Sequence, residues 1–295
     1  MRQIATALTL ICALGACVQP PLLQGTANLT KTWSGEFVNT YADPPRELVV
    51  RAWYPAVDTG ERLPLILLAP GRGVPSVAYS RVSQFLAGHG FIVVAVDSPG
   101  SGRQLFSDGR VVAPDPALQP PPGLMAGPYI EVDRFFAEAA ASGANDLDYV
   151  LDRIVAPEAE NGMPFAGLVD TSQVGLLGHS LGGRIAGAFA AMDGRVAAWI
   201  GVEGVAPRAA RRQGLGIPAM VILSEGVWPY AIDNVRELAW CTGQPTYLVK
   251  MAGIEHNTIT DGDAENVLSE LPESQRRMAV LIQLFFKHHI TNKAS

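Results

Sequence analysis

Residues 174–183 read Val-Gly-Leu-Leu-Gly-His-Ser-Leu-Gly-Gly. An apolar run ends in Gly178-His179-Ser180-Leu181-Gly182, and a stretch rich in Ala and other small residues follows. Strand, sharp turn, helix is the order that a nucleophile elbow requires. Such a turn lifts a serine hydroxyl clear of the backbone at the C-terminal edge of a parallel sheet. It holds the serine in a strained φ/ψ region at a cost of about 1–3 kcal/mol. Side chains two residues before and after the serine would clash with its backbone, so Gly178 and Gly182 suit those places. Gly183 lets the next helix pack close to the sheet. A bare G-x-S-x-G also occurs in simple turns. The flanking strand and helix patterns make Ser180 the candidate nucleophile.

Outward from this turn, the chain alternates strand and helix patterns. Residues 47–54 alternate apolar and polar side chains, as a half-exposed strand does. Residues 63–69 are a continuous apolar run, expected of a strand buried on both faces, and residues 91–97 read as a second buried strand. Residues 76–88 read as a helix ending at Gly88. Residues 145–155 carry Leu147, Val150, Leu151 and Ile154 on one helical face. After the elbow come short apolar strands at 197–202, 219–223 and 247–251, then an amphipathic helix over 275–289. This is an α/β pattern of about eight strands joined mostly by crossovers. It predicts a doubly wound, mostly parallel sheet with helices on both faces.

Composition sets the outer bounds. The 295 residues suit one such domain, and 48% apolar content is ordinary for a globular chain. A formal charge of −6 argues against nucleic acid as the main partner. No heptads, repeats or P-loop are present.

The N-terminus has its own logic. Met1-Arg2 is a positive start, and residues 4–14 form an apolar core too short to span a bilayer. Leu14-Gly15-Ala16-Cys17 then resembles a bacterial lipobox. That resemblance implies a lipoprotein-type signal over 1–16, acylation of Cys17, a tether over 17–32 and a catalytic domain over 33–295. Val18 replaces the aspartate associated with inner-membrane retention, which points to a lipid-anchored protein of the outer membrane, facing the periplasm or exterior. An ordinary cleaved signal, giving a soluble periplasmic or secreted protein, is the alternative. Cys12 falls in the signal, which leaves Cys241 without a disulfide partner in the mature chain; it reads as a small buried apolar residue.

Between residues 100 and 139 the regular pattern breaks. Ala113-Pro114-Asp115-Pro116 and Pro120-Pro121-Pro122-Gly123 resist helix and sheet ladders. A long irregular stretch in a compact domain is commonly functional. It is read as a lid or pocket wall, with Leu124, Met125, Tyr129 and Ile130 supplying apolar surface.

A serine hydroxyl needs a base. His89 sits at a helix end and suits a cap; His179 adjoins the serine and would point elsewhere; His288 and His289 lie late in the last helix. His256 remains, in a loop after the last strand and downstream of the serine. The acid that orients it has two candidates at strand ends, Glu203 and Glu225, and a distant third in Asp233. The N–H of Leu181 supplies one oxyanion donor. The second is assigned to Arg72, in the Pro70-Gly71-Arg72-Gly73 loop after the 63–69 strand. No metal or organic cofactor is called for.

These residues together resemble the α/β-hydrolases, and within them the platelet-activating-factor acetylhydrolase-like and dienelactone-hydrolase-like branch. The resemblance covers residues 47–260. It rests on Arg51-Ala52-Trp53-Tyr54-Pro55, residues 65–73, 91–97 and 178–183, Ser224-Glu225 and the His256 loop. The acetylhydrolase pattern places an aspartate where this chain has Glu203, and carries a Ser-Glu pair like Ser224-Glu225 outside its triad. It therefore implies Glu203 as the acid, with Glu225 as the alternative. Pro70 stands where relatives usually have histidine, and the 100–139 insertion is different. The implied activity is hydrolysis of carboxylic esters, short-chain or lipid-derived, through an acyl-enzyme. Polyester or cutinase-like hydrolysis, serine peptidase activity, and an inert envelope binding module on the same fold are the alternatives.

Overall fold

The computed structural model describes residues 9–10, 30–56, 60–156, 162–226, 229–262 and 271–291. Most of the signal, Cys12, Cys17 and the tether up to residue 29 lie outside them. Eight strands form the central sheet: β1 Thr30–Asn39, β2 Arg46–Pro55, β3 Leu63–Ala69, β4 Ile92–Asp97, β5 Val169–His179, β6 Val196–Val202, β7 Ala219–Leu223 and β8 Thr246–Lys250. Their order is β1-β2-β4-β3-β5-β6-β7-β8, and a two-residue strand, Thr9–Leu10, pairs beyond β8. Neighbours from β4 to β8 run parallel; β1–β2 and β2–β4 run antiparallel.

The apolar runs follow from this layering. In β3, Leu65 and Leu67 enter one buried cluster while Ile66 and Leu68 enter the other, so neither face tolerates a polar side chain. The helices are α1 Ser80–Gly88, α2 Tyr129–Phe135, α3 Ala137–Val155, α4 Leu181–Ala190, α5 Arg208–Gln213, α6 Pro229–Thr242 and α7 Glu273–Phe286. Residues of α1 and α7 fill one cluster, and residues of α3, α4, α5 and α6 fill the other. The sheet is thus covered on both faces, as the sequence pattern predicts.

Several expectations need adjustment. The 47–54 strand is not half exposed: Leu48, Val49, Val50, Ala52 and Trp53 are buried. It is an interior strand between β1 and β4, and helix packing covers the face that the alternation left to solvent. Strand β1 has no counterpart in the sequence reading and begins at Thr30, within the stretch read as tether. The 100–139 segment is less irregular than expected. It forms a small hairpin, Gln104–Leu105 with Val111–Val112, two 3-10 turns, α2 and the start of α3. The prolines sit where they do no harm, as Pro116 does at the first position of its turn. Cys241 is half-buried in α6 rather than buried.

The insertion is tied to the body of the protein. Asp133 of α2 pairs with Arg184 of α4 and accepts the Arg208 N–H at 2.8 Å. The Tyr129 hydroxyl meets the guanidinium of buried Arg211, whose other nitrogens reach Glu237 at 2.9 and 3.1 Å. Leu124 and Met125 pack against the core, whereas Ile130 is exposed.

Candidate active site

Strand β5 runs to His179, and α4 begins at Leu181, so the whole turn is Ser180. Its φ of 54° and ψ of −117° are the strained elbow geometry. The Ser180 N–H donates to Val202 O of the neighbouring strand at 2.8 Å, which fixes the turn. A Cβ on Gly178 would lie 2.2 Å from Gly182 O, and one on Gly182 would lie 1.9 Å from Ala69 O. The glycines are required as expected, but the obstacles are the elbow's other arm and the adjacent strand, not the serine's own backbone.

His256 comes from the loop after β8. Buried Ile254 and Ile259 anchor that loop. Asp261 docks it at the start of α1: its N–H donates to Ala78 O, in the 3-10 turn just before that helix, at 2.6 Å, and its carboxylate accepts the Arg81 N–H at 3.0 Å. His256 Nε2 lies 3.0 Å from Ser180 Oγ, and Nδ1 lies 3.3 Å from Glu203 Oε2. The carboxylate only accepts, so Nδ1 carries the proton and Nε2 is free to accept the serine proton.

Glu203 follows directly on β6, with φ 53° and its N–H bonded to Ile222 O at 2.8 Å. Its Oε1 accepts the Ser224 N–H. Burial pushes its carboxyl up, but the hydrogen bonds from His256 and Ser224 outweigh this and hold it below the usual carboxylate range. It is therefore ionised and 7% exposed, beside an imidazole that is half exposed. Glu225 lies apart. It is exposed, and among the described residues its carboxylate reaches the Gly253 N–H at 3.5 Å and not His256. Asp233 pairs with Arg236 on the surface of α6. Of the three carboxylates weighed, only Glu203 meets His256.

The N–H groups of Leu181 and Arg72 have no acceptor among the described residues, as oxyanion donors should be before substrate arrives. The Arg72 side chain reaches Gln119 of the insertion at 2.5 Å, and the Gly73 N–H donates to Ser101 O at 2.9 Å. The Pro70-Gly71-Arg72-Gly73 loop is therefore braced by the 100–139 segment. Among the described residues, no cluster of His, Cys, Asp or Glu could hold a metal ion.

His89 caps α1 as expected, its Nδ1 donating to Phe85 O at 2.7 Å. His179 does turn from the serine hydroxyl, but it is buried and bonded: Nδ1 to the Tyr79 hydroxyl and Nε2 to His256 O, both at 2.8 Å. Tyr79 had no sequence signal, because nothing in a helical apolar pattern marks a tyrosine as part of a site one hundred residues away in the chain.

The sequence profile of the Alpha/beta hydrolase family matches residues 66–279. The chain belongs to the α/β-hydrolase family. Its fold is similar to that of a ferulic acid esterase from Streptomyces cinnamoneus, at 21% identity and a TM-score of 0.66, over 90% of this chain and 91% of that one. It is similar also to a candidate dienelactone hydrolase from Klebsiella pneumoniae, at 15% identity and 0.56, over 88% and 100%. A cold-adapted esterase from an Arctic intertidal metagenomic library follows at 20% identity and 0.52, over 87% and 94%. At such identities these likenesses establish the fold alone. No curated protein matches the sequence.

Proposed function

We propose that the protein is a serine hydrolase of carboxylic esters, short-chain or lipid-derived, with Ser180, His256 and Glu203 as its triad. The observation that carries this reading is the paired contact of His256, to Ser180 Oγ at 3.0 Å and to Glu203 Oε2 at 3.3 Å. His256 Nε2 takes the Ser180 proton as Oγ attacks the ester carbonyl. Glu203 stabilises the imidazolium that forms, and the Leu181 and Arg72 N–H groups hold the oxyanion. The imidazolium then protonates the leaving alcohol, which breaks the ester C–O bond and leaves the acyl-enzyme. Water, deprotonated by His256, releases the acid by the same steps in reverse roles. The reaction needs neither metal nor organic cofactor. The esterases among the structural neighbours support the substrate class, and the lipobox-like sequence supports a lipid anchor at Cys17 in the cell envelope.

The test is covalent. A fluorophosphonate probe is expected to label the wild-type protein at Ser180 and to leave Ser180→Ala unlabelled. The same variant is expected to lose nearly all hydrolysis of p-nitrophenyl acetate while keeping its fold. Unchanged turnover in Ser180→Ala sinks the assignment. An ester chain-length series then sorts acyl preference, and mass spectrometry of the mature N-terminus tests acylation of Cys17.

A further inference from the structure

We infer that His179 is a positioning residue, the middle of a buried hydrogen-bonded relay that joins the oxyanion loop to the loop bearing the base. The inference rests on the ester-hydrolase reading above.

The proton positions follow from chemistry. His256 O can only accept, so His179 Nε2 must carry the proton in that 2.8 Å contact. Neutral His179 then has Nδ1 free to accept, and Tyr79 donates its O–H there at 2.8 Å. The Tyr79 oxygen in turn accepts the Gly71 N–H at 2.8 Å. Three loops or turns far apart in sequence are thus tied by three bonds that run one way.

His179 is 1% exposed and Tyr79 is fully buried, so solvent is kept from the two bonds that Tyr79 makes, while the third ends at the exposed His256. The groups facing His179 are Tyr79, His256 and, beyond it, Glu203. Burial, then the neighbouring His256, pull the His179 imidazole down to about 4, so it stays neutral beside a base that becomes cationic during turnover. A second cation at this place, with ring centroids 5.1 Å apart, would oppose that step.

The relay also agrees with the choice of Arg72 as the proposed oxyanion donor. The Gly71 N–H is engaged by Tyr79, which leaves the next one, Arg72, to donate. Gly71 has no room for a side chain, because its Cβ would lie 2.8 Å from His179 Nδ1. The imidazole fills the space under the oxyanion loop that a larger residue at 71 would take.

The test compares His179→Gln, His179→Ala and Tyr79→Phe with wild type. A Gln amide reaches the Nε2 place and can donate to His256 O; Ala cannot. Active sites are titrated with the fluorophosphonate probe, and kcat is expressed per titrated site. His179→Ala is expected to lose about 100-fold in kcat, the scale of a displaced catalytic group. Its KM for p-nitrophenyl acetate is expected to stay within about twofold of wild type, since only transition-state contacts change. His179→Gln recovers all but about tenfold, and Tyr79→Phe falls between the two. Turnover per site in a folded His179→Ala protein equal to wild type overturns the inference. So does a loss explained wholly by fewer titratable sites, which is what a structural role alone produces. Nitrogen NMR of histidine-labelled protein is the arm independent of turnover: His179 is expected as the Nε2–H tautomer between about pH 5 and 8, and an Nδ1–H tautomer refutes the relay. If the wild type neither labels nor hydrolyses esters while this tautomer is present, it is the ester-hydrolase reading that fails, and the positioning role with it.

Discussion

Ser180 and Glu203 adopt left-handed backbones at the ends of adjacent parallel strands, with φ of 54° and 53°. They are the two non-glycine residues with positive φ among those described. Each hangs by its N–H from the strand beside it, Ser180 from Val202 and Glu203 from Ile222, both at 2.8 Å. The serine turn is therefore held by the residue just before Glu203. Placing Ser180 and placing Glu203 are one structural event, and strain at both is borne by the strand ladder.

Glu203→Gln is expected to lower kcat for p-nitrophenyl acetate by up to about 10⁴-fold, because the amide no longer holds the imidazole tautomer or balances its charge. Glu225→Gln is expected to leave kcat unchanged, since that carboxylate is exposed and, among the described residues, bonds to Gly253 rather than to His256. A larger loss at Glu225 contradicts the choice of acid.

Gly182→Ala is expected to abolish soluble expression or cost well over the ~1–3 kcal/mol of ordinary overpacking, because its Cβ meets Ala69 O at 1.9 Å. Gly194→Ala meets nothing within 4 Å and is the matched control. Urea unfolding is expected to show it as stable as wild type or more stable by about 0.4–1 kcal/mol.

Asp133→Ala leaves the Arg184 guanidinium without its carboxylate at a site where both side chains are about nine-tenths buried. Loss of one partner of a buried pair costs about 3–5 kcal/mol. Thermal unfolding is expected to show the loss, and limited proteolysis to show faster cutting within residues 106–128. Asp133→Asn, which keeps an acceptor for the Arg208 N–H, is expected to lose less. Unchanged cutting in Asp133→Ala means that something else holds the insertion.

Two buried groups give opposite pH dependences. Burial raises Asp97 to about 7, against the hydrogen bonds from Ser76, so the folded state keeps a proton that the unfolded chain has lost. Its contribution to stability therefore falls as pH rises from about 4 to 7. His179, lowered to about 4, does the reverse: the unfolded chain binds a proton that the folded state refuses. Its contribution is lost as pH falls from about 6.5 to 4. Urea unfolding across this range is expected to rise more steeply with pH in Asp97→Asn than in wild type. In His179→Gln it is expected to rise less steeply or to fall, with single-group slopes of at most about 1.4 kcal/mol per pH unit. Curves parallel to wild type in either variant rule out that group's part.

The sheet was legible wherever burial is two-sided. Strands β3, β6 and β7 carry unbroken apolar runs, and β4 does so up to Asp97, since a polar side chain within them would enter a cluster. Strand β1 was not, because Thr30–Asn39 is an edge strand with mixed exposure and its pattern matches a linker as well as a strand. The candidate serine was legible because an elbow leaves glycine on both sides. The proposed base followed from its place in the chain. The proposed acid was narrowed only by family resemblance, since Glu203 and Glu225 both close a strand and differ in a backbone turn that side-chain patterns do not encode. Tyr79 was invisible for the same reason as most residues that act through a neighbour: its chemistry exists only once the fold has formed.

The direction of β1 sets the distance between the start of that strand and Ser180. Thr30 pairs with Pro55, at the rim where the parallel strands begin, while Ser180 stands at the rim where they end. Ser180 and the first residue of β1 therefore stand at opposite rims of one sheet, so a change at Thr30 lies a full strand length from the serine and its histidine.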